Sequence, residues 1–419
     1  MQVTIARNRM RPRTIVNVLA AGLAAIALHG PSHGFQAEAA RDTPPHERFV
    51  KRDGVRFMLD GEEFPVVGAN NYYVTFASER ELKAVLDDAV EMEANVIRIF
   101  LQPVIGSLDL KTKPTIWDWQ KKAVSADLGV NGAYMLYWDP VAGGPAMNDG
   151  PNGLGKLDVL LDEAGKRNLK LIVAFLDFWK YTGGAHQISA WYGSDNPSRF
   201  FGRDPRARAA YKAWVKHVIE RTNAITGVPY RDDPTIMAWQ LMNEPDIRPA
   251  RVLRDWIQEM AGFVKSLDPH HLLSTGHWNL YDRFSDMEID EIDFGTWHAY
   301  PIHWGVPPST ITRRIPEFCA KGRKANKPIL LEEFGYARSN PDYEDVYRQW
   351  LDTIHGNPDC AGWLVWSLVA RQDTGQFPTD EHEQFDIRND GSPIWSVLRD
   401  AALKLRARRT PPDPADAAR

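Results

Sequence analysis

The sequence predicts an α/β fold, a (β/α)₈ TIM barrel with an N-terminal hairpin and a long, aromatic-rich insertion after the second strand. Two observations carry this prediction: eight short apolar segments occur along the chain, and amphipathic stretches separate them. Strands that alternate with helices indicate βα units and a parallel sheet. Eight such units in about 350 residues are typical of a barrel with insertions. A doubly wound open sheet is the alternative.

The predicted strands follow from runs of apolar or β-forming residues. They cover residues 64–70, 95–100, 169–175, 235–242, 271–275, 292–297, 328–333 and 361–367. The predicted helices cover residues 78–93, 156–168, 205–225, 250–267, 309–324 and 343–354. Residues 56–67 predict a hairpin over an Asp-Gly turn, and Ser78 with Glu81 predicts a capping box. The irregular stretch 101–155 is long enough to indicate a functional loop.

The N-terminus has the pattern of a signal peptide, with four arginines before residue 14, an apolar run over 15–28 and Ala37-Glu-Ala39. The apolar run is shorter than the roughly 20 residues of a membrane span; an uncleaved anchor is the alternative. We therefore expect a signal peptide over 1–39, a flexible lead-in over 40–54, one (β/α)₈ barrel domain over 55–405 and a disordered tail over 406–419. The expected location is secreted or periplasmic, without membrane contact after cleavage.

Composition limits the classes of partner. An apolar fraction of 43% and 15 Trp indicate an ordered globular protein. Without residues 1–39, which contain four Arg and one Glu, 46 basic and 54 acidic residues remain, a formal charge of −8. This balance argues against nucleic acid and favours a neutral ligand; we expect a monomer. Cys319 and Cys360 are the only cysteines, and sequence alone leaves open whether they form a disulfide or stay as buried thiols.

Two of the predicted strands end in carboxylates. The run 235–242 leads into Asn243-Glu244-Pro245, and the run 328–333 ends in Glu332-Glu333 before Phe334-Gly335. Because the carboxyl ends of barrel strands share one face, we expect Glu244 and Glu333 to lie across one pocket. Two carboxyl groups about 5 Å apart suit a retaining glycosidase.

Four short motifs resemble glycoside hydrolase family 5: Asn243-Glu244-Pro245, Glu333-Phe-Gly335, His298-Ala-Tyr300 and Asn95-Val-Ile-Arg98. Further stretches are similar to its endo-β-1,4-mannanase branch: Asn152 to Asp158, Phe178-Trp179, Gly183-Gly184 and Arg221 to Tyr230. The resemblance covers about residues 55–400. It implies a secreted endo-acting hydrolase of β-mannan or glucomannan, with no cofactor and no metal.

The resemblance also implies a role for each matched residue. Glu244 would be the general acid and base, and Glu333 the nucleophile, with a pKa lowered by the charge of Arg98. Asn243 resembles the residue that bonds the sugar 2-hydroxyl. His298 and Tyr300 would hold the two carboxylates. Trp366 resembles the platform under the sugar, and Phe100 stands where mannanases usually carry a tryptophan.

Glu332 and Glu333 are neighbours on one predicted strand. Adjacent side chains of a strand point to opposite faces, so we expect only one of them to face the barrel mouth. The family pattern places the nucleophile directly before the aromatic-Gly pair, which selects Glu333. Glu332 is then expected to be a structural salt-bridge or rim residue.

Several positions depart from the mannanase pattern. Leu176-Asp177 replaces an Asn-Asn pair, Thr275 to Asn279 replaces a Glu-Gly-Phe segment, and Asp246 replaces an arginine. These changes concern sugar-binding subsites, so hydrolysis is a firmer prediction than mannan as the substrate. An endo-β-1,4-glucanase or mixed glucomannan hydrolase is the alternative, and a non-catalytic carbohydrate-binding barrel is a distant one.

Overall fold

The computed structural model describes residues 48–117, 129–279, 285–378 and 384–408. The predicted signal peptide therefore lies outside the described residues. In chain order the strands are β1 (Lys51–Asp53), β2 (Arg56–Leu59), β3 (Glu62–Glu63), β4 (Val66–Asn70), β5 (Val96–Phe100), β6 (Val104–Ser107), β7 (Leu136–Asp139), β8 (Gly144–Met147), β9 (Lys170–Ala174), β10 (Ile236–Gln240), β11 (Leu272–Ser274), β12 (Gly295–Ala299), β13 (Ile329–Phe334), β14 (Gly362–Val365), β15 (Leu368–Val369) and β16 (Ile387–Arg388).

The helices alternate with these strands. They are α1 (Glu79–Glu91), α2 (Gly155–Lys166), α3 (Gly184–Trp191), α4 (Pro197–Arg203), α5 (Pro205–Glu220), α6 (Ala250–Leu267), α7 (Pro301–Trp304), α8 (Ser309–Ala325), α9 (Tyr343–His355) and α10 (Pro393–Arg406). The capping box of α1 is present, since the Ser78 hydroxyl accepts from Glu81 N and Glu81 accepts from Ser78 N. No helix among the described residues is both long enough and apolar enough to cross a membrane.

Eight parallel strands form the barrel, in the order β11–β10–β9–β5–β4–β14–β13–β12. The two end strands, β11 and β12, are joined through their flanking segments: Asp293 N donates to Leu273 O (2.8 Å) and His298 N to Trp278 O (3.1 Å). The (β/α)₈ prediction is confirmed and the open doubly wound sheet is excluded. Each of the eight predicted strands corresponds to one barrel strand.

The start of the barrel is plugged by apolar side chains. A buried cluster separate from the main core fills the interior where the strands begin: Val66, Val96, Ile172, Ala238, Leu272, Leu330 and Leu364. Phe57 of β2 packs edge-on against Phe294 at 5.2 Å and covers this cluster. The small β1–β2–β3 sheet thus closes the end of the barrel at which the strands begin.

The structure describes parts of the predicted lead-in and tail. Phe49 and Val50 are buried, Val50 in the same apolar cluster, and β1 pairs with β2. At the other end α10 includes Arg406, and Arg408 donates to the carbonyls of Asn357 and Cys360. Residues 409–419 lie outside the described residues.

The insertion after β5 contains its own sheet, β6–β7–β8. Trp138 of β7 packs against Trp191 (6.2 Å) and Tyr192 (5.6 Å) at the end of α3. Trp117 donates its indole N–H to Val104 O at 3.1 Å. Trp138 therefore packs the insertion against α3, and Trp117 bonds to β6 within the insertion.

Cys319 of α8 and Cys360, which precedes β14, form a disulfide with a Cα–Cα distance of 4.9 Å. The question that the sequence left open is settled in favour of the bridge. It ties a surface helix to the beginning of the last barrel strand.

Candidate active site

The two glutamates lie at the carboxyl ends of the fourth and seventh barrel strands. Glu333 is the last residue but one of β13, and Glu244 follows the end of β10 by four residues. The backbone of Glu244 has a φ of +46°, and its N–H donates to Gly276 O at 2.9 Å. A non-glycine residue in this left-handed region is uncommon and is held there by its surroundings.

A β-bulge in β13 interrupts the alternation of side-chain directions at Glu332 and Glu333. Trp297 pairs with Leu331 and His298 pairs with Glu333, so Glu332 has no opposite residue on β12. An extra residue in one strand interrupts the alternation of side chains. Both Glu332 and Glu333 therefore reach Arg98 inside the barrel. Glu332 is a salt-bridge residue, as expected, but the two side chains do not point to opposite faces, because that expectation assumed an unbroken pleat.

Glu333 is almost fully buried and accepts hydrogen bonds from two side chains. Its Oε1 accepts from Arg98 Nη1 at 2.5 Å, and its Oε2 accepts from the Tyr300 hydroxyl at 2.6 Å. Both oxygens are thus fixed in direction. The predicted contacts of Arg98 and Tyr300 with this carboxylate are present.

Glu244 is fixed by a different pair of groups. The indole N–H of Trp179 donates to Glu244 Oε2 at 2.6 Å, and His298 Nδ1 lies 2.5 Å from Glu244 Oε1. The Glu244 side chain is 13% exposed, against 4% for Glu333. Glu244 is therefore the carboxylate that is more open to the cleft.

Glu244 and Glu333 are close to one another. A carboxylate oxygen of each, together with one His298 ring nitrogen, lie within 4.8 Å of one another. This separation is short for the roughly 6.5–9.5 Å spacing of inverting sites and compatible with the roughly 5 Å spacing of retaining ones.

Arg98 is the fully buried centre of a polar layer above the apolar plug. Its Nε donates to Gln240 Oε1 (2.8 Å), its Nη1 also to Asn70 Oδ1 (3.0 Å), and its Nη2 to Asn243 Oδ1 (2.8 Å). Gln240 in turn donates to Glu332 Oε1 at 2.7 Å. This network fixes the guanidinium so that it can face both Glu332 and Glu333.

His298 lies between three carboxylates. Its Nε2 is 3.3 Å from Glu332 Oε2, opposite the Nδ1 contact with Glu244, and Nδ1 is 3.4 Å from Glu333. Burial lowers the pKa of His298, but the charge of Glu333 and the bonds to Glu244 and Glu332 outweigh it and raise the pKa to about 9. Both ring nitrogens therefore carry protons near neutral pH.

The pKa values of the two glutamates shift in opposite directions. Burial raises the pKa of Glu244, yet the bonds from His298 and Trp179 lower it on balance. Burial and the charge of Glu244 raise the pKa of Glu333 in spite of His298 and Arg98. The predicted lowering by Arg98 is real, but burial outweighs it.

Aromatic side chains line the adjoining wall. Trp366 is half-buried, with its ring 6.2 Å from Tyr72 and 5.9 Å from Phe100. The Phe100 ring lies 4.7 Å from the Arg98 guanidinium carbon. All eight residues expected at the site therefore lie in one region: Arg98, Phe100, Asn243, Glu244, His298, Tyr300, Glu333 and Trp366.

Comparison with known proteins shows which family this chain resembles. Residues 150–349 match the family described as GH family 5 beta-mannosidase-like. Mannan endo-1,4-beta-mannosidase A of Podospora anserina is 29% identical over 352 residues, which cover 79% of this chain and 85% of that protein. Mannan endo-1,4-beta-mannosidase 1 of Arabidopsis thaliana is 28% identical, covering 87% and 92%. The chain is therefore similar to glycoside hydrolase family 5 and to its mannan endo-1,4-beta-mannosidases.

A solved structure agrees with this assignment. The endo-1,4-beta-mannanase of Rhizomucor miehei superimposes with a TM-score of 0.73 at 25% identity and covers 86% of this chain and 100% of that one. The resemblance to glycoside hydrolase family 5 and its endo-mannanase branch, predicted from the motifs, is confirmed.

Sequence reasoning did not place Asn70 and Gln240 at the centre of the site, and it did not predict the bond from Trp179 to Glu244 or the contacts of Glu332 with Gln240 and His298. Asn70 and Gln240 carried a usable signal, since each is a polar residue within an apolar strand, at the spacing of the inward face. Trp179 carried none for its bond to Glu244, because the two lie 65 residues apart.

Glu244, His298 and Glu333 also present the nitrogen and oxygen atoms that a cation would need. However, the Glu333 oxygens already bind Arg98 and Tyr300, and the guanidinium repels a second positive charge at this distance. We assign these three residues no metal role.

Proposed function

We propose that this chain is an exported, endo-acting hydrolase of β-1,4-mannan that retains the anomeric configuration. The observation that carries the proposal is the close approach of Glu244 and Glu333, each fixed by two partners of its own. The mannanase names of its relatives support the substrate. The N-terminal pattern supports export.

Glu333 is the proposed nucleophile. Arg98 and Tyr300 hold its two oxygens, which leaves the carboxylate in one orientation for attack at the anomeric carbon. As its oxygen forms the ester bond with the sugar, Glu333 loses its charge. The proton affinity of Glu244 then falls, because a neighbouring negative charge has gone. Glu244 is thereby prepared to act as the base that activates water.

Glu244 is the proposed general acid, and it needs a proton when the leaving sugar departs. Before substrate binds, this proton is held next to it, on His298 Nδ1 at 2.5 Å. A bound sugar covers the remaining exposed surface of Glu244, and covering a carboxylate raises its pKa. Transfer along the existing hydrogen bond then supplies the acid, while Trp179 keeps the other oxygen in place.

Asn243, which Arg98 orients through its Oδ1, is the proposed partner of the sugar 2-hydroxyl. Such a contact can strengthen as the ring distorts toward the transition state. Trp366 offers a flat apolar face on the same wall. Together they define the subsite at the cleavage point.

The test is a side-by-side assay of the purified mature protein on glucomannan, galactomannan and carboxymethyl cellulose. We expect clear preference for the mannans, a fall in viscosity that precedes most of the reducing-end release, and the β-anomer as the first product seen by proton NMR. Equal or greater activity on carboxymethyl cellulose would overturn the substrate, and an initial α-anomer would overturn the retaining mechanism. Export is checked by the N-terminal sequence of the secreted protein, which should begin near residue 40.

A further inference from the structure

A third carboxyl group, Asp177, is buried beside the two glutamates and has no part in the mechanism above. It follows β9 by three residues, where the chain forms a parallel bridge with Asn243 beyond the end of β10. Its side chain is 5% exposed. One oxygen, Oδ1, accepts from Asn243 Nδ2 at 2.9 Å and from Trp179 N at 3.3 Å.

Both groups that Asp177 holds are immediate neighbours of Glu244. Asn243 precedes Glu244 in the chain, and its amide is fixed from the other side by Arg98. Trp179 donates its indole N–H to Glu244. A single carboxylate oxygen therefore orients the amide next to the acid–base residue and the backbone of the tryptophan that bonds it.

We propose that Asp177 is a positioning residue for Glu244, acting through Asn243 and Trp179. Its negative charge also allows Glu244 to stay protonated at higher pH. This inference rests on the proposed role of Glu244 as general acid. Asp177 itself does not touch the reacting atoms.

The charges around Asp177 make its ionisation relevant at working pH. Glu244 and Glu333 face it as like charges, and Arg98 and His298 are the cations across the site. Burial, followed by the charges of the two glutamates, raises the pKa of Asp177 to about 7 against the bonds from Asn243 and Trp179. Above that pH the new negative charge raises the pKa of Glu244, since like charges disfavour ionisation.

Two substitutions separate geometry from charge. Asp177→Asn keeps an oxygen that can accept from Asn243 and Trp179 but removes the charge. Because a bound sugar is what raises the pKa of Glu244, the effect belongs to the enzyme–substrate complex, and we expect the alkaline limb of kcat on galactomannan to move to lower pH by at least about half a unit. Asp177→Ala removes the oxygen as well, and we expect kcat to fall about tenfold or more at every pH with a smaller change in KM. Asp195→Asn, an exposed position, is the matched control.

Thermal unfolding gives a readout that does not depend on activity. The pKa of Asp177 in the folded protein lies above the ordinary value of 3.8. Between about pH 4 and 7 the unfolded chain therefore releases this proton before the folded protein does, and the free energy of unfolding falls. Asp177→Asn lacks this cost. The Tm of the Asn variant relative to wild type should therefore rise by about a few degrees between pH 4 and pH 8.

The outcomes are distinct. If Asp177→Asn shows the wild-type pH profile and a constant Tm difference, the inference fails even though the enzyme cleaves mannan. If wild-type protein does not cleave mannan, the proposed function fails, and the Tm difference still decides whether Asp177 ionises near neutral pH. Should Asp177→Ala not fold, Asp177→Asn alone decides the matter.

Discussion

At the residue scale, two chemically identical side chains, Glu244 and Glu333, have different hydrogen-bond partners. Glu333 faces a permanent cation and a phenol, whereas Glu244 faces an imidazole and an indole. Arg98 cannot give up its proton, but His298 can. His298 lies 2.5 Å from Glu244 but 3.4 Å from Glu333. This difference in distance to the imidazole distinguishes the two proposed roles.

Substitution should separate these roles. Glu333→Ala should lower kcat on every substrate by at least about 10⁴-fold, because no other group can form the ester. Glu244→Ala should lower kcat on galactomannan by about 10²–10⁴-fold but still give a burst of phenol from an activated aryl mannoside, whose leaving group needs no proton. The measurement is rapid-mixing absorbance.

Glu332→Gln serves as the comparison for both variants, since it keeps a side chain of the same size in the polar layer. We expect it to weaken turnover without abolishing it. Complete loss of the burst in Glu244→Ala, combined with a normal burst in Glu333→Ala, would reverse the assignment.

At the element scale, the ends of the strands rather than the strands themselves position the site. The loop after β9 turns back so that Gly184 lies against the carbonyl oxygens of Asp177 and Trp179. A Cβ at Gly184 would overlap both oxygens, and its φ of +52° already disfavours other residues. The start of α3 therefore depends on a glycine for close approach.

Gly184→Ala should displace the Asp177–Trp179 turn and reduce both stability and kcat. Gly193→Ala is the matched control, since Gly193 has a φ of +74° and nothing within contact of an added Cβ. We expect the control to cost about 1–2 kcal/mol of unfolding free energy and Gly184→Ala about 1–3 kcal/mol more from overpacking. Urea titration and kcat on galactomannan measure the two effects. Equal stability and activity for both variants would show that the close approach at Gly184 does not hold the loop.

The sequence predicted most elements because long apolar runs are strong local signals. All eight barrel strands and the helices α1, α2, α5, α6, α8 and α9 were found this way. The bulge in β13 was not found, because it is a property of the pairing between two strands and leaves no mark on either alone. For the same reason Glu332 was expected on the face opposite to Glu333, although its role in a salt bridge was foreseen. The contact between Trp179 and Glu244 could not be inferred from a separation of 65 residues.

At the scale of the whole molecule, the barrel has an apolar lower half and a charged upper half. Buried titratable groups in the upper half link folding to pH. The raised pKa of His298, about 9, means that its stabilising contribution is complete below about 6.5 and is lost as pH rises through 9. Asp177 opposes folding as it ionises between about 4 and 7.

Asp268, near the end of the barrel where the strands begin, limits stability at low pH. Burial raises the pKa of Asp268, but His271 and Trp239 lower it to about 2 on balance, so its contribution is present above 3.8 and lost as pH falls through 2. We therefore expect the thermal midpoint to be highest near about pH 4–5 and to decline toward pH 9. Scanning calorimetry measures it, and His298→Gln should flatten the decline above about pH 6.5. A midpoint that rises from pH 5 to pH 9 would contradict the pKa directions of His298 and Asp177.

The apolar plug at the start of the barrel has a consequence for what the enzyme releases. With Phe57 and Phe294 covering the rear, the molecule that attacks the sugar ester of the proposed mechanism must approach from the mouth, where the departing sugar has just left. Water and the hydroxyl of another saccharide thus compete for one entrance. At high concentrations of mannopentaose, mass spectrometry should detect chains longer than five units, and their yield should fall on dilution. Purely hydrolytic products at every concentration would show that water has a route of its own.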